Sequence, residues 1–177
     1  MFSTIPSRYR QFALDFCGTI HDWDSKIAVQ WQPLPPVRFS TNTPRNGIVL
    51  TDHANGDHDG ELLHPGLAVN LGSQLNMYPV LNLGWPGVPG PHYPLVAESM
   101  KELANQVYNA TKAAFERLGK PYGPGMRLVP IHGHRKALLL RFDDLVLHAI
   151  VNTAPGHWQA EFSLLNMPHE LSLACTS

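Results

Sequence analysis

Apolar and polar residues alternate along the first third of the chain in short bursts. Ile27, Val29 and Trp31 alternate with Ala28, Gln30 and Gln32 up to Pro33, the pattern of a half-buried strand stopped by proline. Residues 39–41 and 48–51 predict two more extended pieces. Between them Pro44-Arg45-Asn46-Gly47 supplies turn chemistry, because Asn-Gly tolerates positive φ. Ahead of these, Tyr9, Phe12, Ala13 and Phe16 share one face at helical spacing, so residues 7–17 predict a short helix between Ser7 and Gly18. A strand over residues 12–19 is the competing reading.

A longer period appears at residues 95–118. Val96, Met100, Leu103, Val107, Ala110, Ala114 and Leu118 form one stripe, with Glu98, Lys101, Glu102, Asn105 and Lys112 elsewhere. Pro94 suits the entry, and Gly119 followed by Pro121 suits the stop. The pattern then returns to strands. Residues 136–142 and 145–151 are apolar runs that read as a tight hairpin through Asp143-Asp144. A turn at Thr153-Ala154-Pro155-Gly156 leads into Trp158, Ala160, Phe162 and Leu164, alternating with Gln159, Glu161 and Ser163. This predicts an antiparallel meander whose final strand has one wet face, with residues 126–131 as a possible fourth strand. The expected fold is α+β: an antiparallel sheet of N-terminal strands and C-terminal meander, packed by one long amphipathic helix.

Composition supports a packed chain. The 177 residues suit one domain, and 44% apolar with 15% charged content argues against disorder. A net charge of −1 gives no global attraction to nucleic acid or anionic membrane. Two cysteines, Cys17 and Cys175, make no disulfide framework and suit a reducing compartment. The N-terminal residues lack the charged-then-apolar order of a signal peptide. No apolar run approaches the ~18 residues of a membrane-spanning helix. A cytoplasmic or virion-internal location is the expectation.

One segment interrupts this picture. From Leu62 to Ala97 there is no Asp, Glu, Lys or Arg, while prolines and glycines break any long regular element. This stretch, inserted before the main helix, is too apolar and aromatic for a flexible linker. Leu83, Trp85, Val88 and Tyr93 within it suit a subunit or partner interface, or equally a layer covering the core.

Three groups of residues could carry chemistry. Seven of the thirteen positions 52–64 are His, Asp or Glu. His53, His58 and His64, with His132 and His134, could hold zinc or another divalent metal, with Asp57 or Glu61 as general base on a bound water. The same Asp, Asn and Gly mix also builds ordinary turns, and neither zinc-type cysteine pairing nor a His-Glu-x-x-His motif is present. Cys17 with His21 and Asp22 offers a nucleophile and base on one helical face, although such a cysteine also suits a core position. Between Lys112 and Arg141 seven basic residues face one acid. Arg117, Lys120, Arg127, Arg135 and Lys136 could therefore meet an anionic ligand or nucleic acid, if they gather in space. Two functions follow. The first is a non-catalytic assembly or binding protein, self-associating or contacting a partner through the uncharged segment, with the basic stretch meeting an anionic partner. The second is a metal-dependent hydrolase or lyase.

Overall fold

The computed structural model describes residues 33–42, 46–51, 62–72, 78–83, 91–118, 125–130, 136–166 and 169–172. The expected helix at 7–17 and strand at 27–31 lie outside them. In chain order the elements are β1 (Val37–Arg38), β2 (Ile48–Val49), β3 (Val80–Asn82), β4 (His92–Pro94), α1 (Met100–Leu118), β5 (Met126–Pro130), β6 (Lys136–Arg141), β7 (Leu145–Ala154), β8 (His157–Leu164) and β9 (His169–Ser172). A 3₁₀ turn, Phe142–Asp144, joins β6 to β7.

The α+β expectation holds, but the main sheet is mixed rather than antiparallel. Its order is β1-β7-β8-β3-β4, with β2 also pairing β7. β7 and β8 form the long antiparallel hairpin that the alternation at 158–164 predicts. At its turn Gly156 takes a φ of 69°, a conformation open to glycine at little cost. β3 then runs parallel to β8, with Leu81 beside Trp158. That pairing comes from the proline-rich segment, which had offered no strand to sequence reading.

The expected hairpin through Asp143-Asp144 is also corrected. β6 pairs with β5 and β9 in a separate three-stranded sheet, whereas β7 belongs to the main sheet. The reason lies in Phe142. Its buried ring makes edge contacts with Tyr108 at 5.6 Å and Phe115 at 5.8 Å, both on α1. Burying it there turns the chain through a 3₁₀ step and moves it from one sheet to the other. Residues 126–130 do form a strand, but in this second sheet.

Helix α1 begins at Met100, five residues later than its apolar stripe suggests. Ser99 caps it, its hydroxyl accepting from the Glu102 N–H at 3.3 Å, while Glu102 Oε2 accepts from the Glu98 N–H at 2.8 Å. Pro94, expected at the helix entry, instead ends the edge strand β4. The residues between have partners of their own. The Leu95 N–H bonds the Pro79 carbonyl, and the Val69 N–H bonds the Glu98 carbonyl. Val96, placed on the buried stripe by spacing alone, is therefore 77% exposed.

The middle of the stripe packs as expected. Met100, Leu103, Val107, Ala110 and Ala114 are buried, joined by Ala104, Tyr108 and Phe115. They share one core cluster with Ile48, Leu81, Leu147, Ile150 and Trp158 from the main sheet and with Phe39 and Leu50 beside it. No helix among the described residues is long and apolar enough to cross a membrane.

Candidate functional site

Most of the residues with expected chemistry lie outside the described set: Cys17, His21, Asp22, His53, Asp57, His58, Glu61, Trp85, Val88, Lys120, His132, His134 and Arg135. Of the others, His64 is exposed just after the Thr41–Leu62 bridge. Among the described residues, no group of three or more His, Cys, Asp or Glu lies together so as to hold a metal ion. Arg117 is exposed in the last turn of α1. Arg127 stands opposite Leu140 in the β5–β6 pair, and Lys136 opposite Ser172 in the β6–β9 pair. Leu83 is buried in the protein's own core, and Tyr93 packs half-buried against it.

The polar row on β8, expected to be its wet face, brings several chemically capable side chains together. Alternate residues of a strand share a face, so His157, Gln159, Glu161 and Ser163 of β8 project away from the core that Trp158, Ala160, Phe162 and Leu164 line. This face is partly covered rather than fully wet. Gln159 is 2% exposed, and the other three are partly buried. Val49, Val146 and Ala149 on neighbouring strands are buried too, though outside the main core cluster.

At one end of the row, the register sets His92, Asn82 and Gln159 side by side across β4, β3 and β8. The His92 ring meets the His157 ring edge-on, with centroids 5.7 Å apart. Burial, and secondarily the adjacent His92 imidazole, hold His157 below the ordinary imidazole value of 6.5. Gln159 Oε1 is buried and meets no hydrogen-bond donor among the described residues.

At the other end, about 20 Å away along the strand, His148 and Ser163 form a pair. His148 Nε2 stands 2.6 Å from Ser163 Oγ, and its Nδ1 stands 2.9 Å from the Asn46 carbonyl oxygen. Local backbone chemistry builds this contact. Asn46 turns the chain with a φ of 49°, as its Asn-Gly context allows. The next residue has no room for a side chain: a Cβ on Gly47 would stand 2.8 Å from both His148 Nδ1 and Val146 Cγ1. The Gly47 N–H is in turn held by Thr41 Oγ1 at 3.1 Å.

His148 and His157 were not singled out by sequence reading, because neither belongs to a motif. The available signal was a histidine inside the apolar run 145–151, with alternating polar residues on the next strand. Comparison of the chain with protein-family models, with curated proteins and with solved structures returns no match.

Proposed function

We propose that this protein acts through association, using the uncharged segment 62–97 as a contact surface for a second copy of itself. One observation carries the reading. The exposed large apolar residues among those described are Leu63, Leu67, Tyr78 and Val96, and all four fall in that segment. Their side chains are 45%, 58%, 87% and 77% exposed.

Hydrogen bonds bring the four onto adjoining strips of chain. The Met100 N–H bonds the Leu67 carbonyl, and the Leu95 N–H bonds the Pro79 carbonyl, next to Tyr78. Ala68 bridges Ser99. Large apolar side chains left exposed on neighbouring stretches of chain favour association. A second copy fits best because the segment has no Asp, Glu, Lys or Arg, so two copies face each other without like-charge repulsion. A net charge of −1 adds little long-range repulsion. Pro94 at the end of the edge strand β4 lacks a donor and blunts strand-to-strand addition. The contact is therefore made by side chains. Exposed Arg117 remains available in this reading for an anionic partner.

Light scattering on the purified chain tests it. A concentration-dependent oligomer is expected, with Val96→Asp weakening it by roughly 30-fold or more in Kd, about 2 kcal/mol for one lost apolar contact. Tyr78→Asp acts in the same direction. A protein that stays monomeric at every concentration reached overturns the proposal.

A further inference from the structure

We propose that Ser163 is a nucleophile that accepts acyl groups from small activated esters, with His148 as its general base. The inference is independent of the association surface, which lies on other segments.

The protonation state follows from the partners. The Asn46 carbonyl oxygen is only an acceptor, so His148 Nδ1, 2.9 Å away, must carry the hydrogen. In a neutral imidazole Nε2 then holds a lone pair, and the hydroxyl 2.6 Å away must donate to it. The Ser163 O–H therefore points its proton at a base whose other nitrogen is fixed by a third group. This is the arrangement that activates a serine oxygen: nucleophile, base, and an acceptor that orients the base.

The ring has little freedom to leave this pose. Gly47 packs against it at a distance that excludes even a methyl group, and the His148 carbonyl accepts from the Phe39 N–H at 2.8 Å. His148 lies where the β7–β8 register shifts between Leu147 and Ala149, an irregularity that re-aims a side chain. Both residues of the pair are only partly buried, so this end of the row keeps some exposure to solvent.

The chemistry balances without a cofactor. Ser163 Oγ forms a bond to the ester carbonyl carbon as its proton passes to His148 Nε2. The resulting imidazolium keeps its Nδ1–H on the Asn46 carbonyl. The carbon–oxygen bond to the leaving group breaks, and His148 returns the proton to the departing oxygen. Water then attacks the acyl-serine by the same route, and the acid is released.

The probes are a fluorophosphonate reagent, with the modified residue located by peptide mapping, and p-nitrophenyl acetate, whose hydrolysis is followed by colour. Wild-type protein is expected to be labelled at Ser163 and to release nitrophenolate. Ser163→Ala should abolish the label. His148→Gln, which keeps a polar side chain but no base, should slow labelling at Ser163 by about 10²-fold or more while thermal unfolding reports an intact fold. Gly47→Ala, which touches neither substrate nor hydroxyl, should slow it by displacing the ring. The proposal fails if folded wild-type protein is not labelled at Ser163. It fails equally if folded His148→Gln is labelled as fast as wild type.

Discussion

Replacing Gln159 by methionine should make the protein more stable, although it removes a polar group from a polar row. Gln159 is 2% exposed, and its Oε1 meets no donor among the described residues. A buried acceptor left without a partner forfeits its hydration, a cost of about 1–3 kcal/mol. Methionine has nearly the same length and volume and a similar loss of rotamer freedom, so the substitution deletes that cost without opening a cavity. Repacking between near-isosteric side chains takes back up to about 1.5 kcal/mol. The expected net gain is about 1 kcal/mol, or ~2–4 °C in Tm for a chain of this size. Urea unfolding should show a higher midpoint with an unchanged slope, the mark of altered stability rather than an altered denatured state. Gln159→Glu provides the opposite perturbation. It places an ionisable group under the same cover and should destabilise the fold, with its carboxyl pushed upward by burial. If Gln159→Met instead loses more than about 1 kcal/mol, the amide has a partner in the folded protein, and the reasoning about this face is wrong.

Two further outcomes follow from the described packing. Leu103 is fully buried between helix and sheet, so Leu103→Ala should cost about 2–5 kcal/mol, read from the urea midpoint. His157 is held below 6.5 in the folded state, so the unfolded chain binds more protons as pH falls through 6.5. Stability from this residue is complete above about 6.5 and declines below it, down to the lowered folded value. Thermal unfolding between pH 8 and pH 5 should show a loss that is smaller in His157→Gln; an equal loss in the two proteins would contradict the assignment.

The helix and the β7–β8 hairpin were legible because each carries its own period. Met100, Leu103, Val107, Ala110 and Ala114 repeat every three or four residues, and Trp158 to Leu164 every two. Boundaries were less legible, since they depend on competing hydrogen bonds. Val96 fits the helical stripe, yet Leu95 is held to Pro79 and Ser99 caps the helix after it. The partition into two sheets could not be read at all. Two adjacent apolar runs look the same whether they pair with each other or with distant strands, and the choice was made by the burial of Phe142 among Tyr108 and Phe115. The site shows the same limit. Sequence proximity drew attention to the acidic, histidine-rich stretch at 52–64. His148 and Ser163, fifteen positions apart, meet only because β7 and β8 pair.

The central position of β7 has a consequence for how the protein reaches its folded state. β1, β2 and β8 all pair with this one strand, and the Leu34 N–H is held by Asn152 Oδ1, 118 positions further on. The early strands thus have no sheet to join until a late portion of the polypeptide has left the ribosome. Assembly demands closure of long loops, which slows the search and prolongs the time that sticky segments stay uncovered. In a chain built this way the first hydrophobic strips settle into the sheet only once residues 145–154 are there to pair with them.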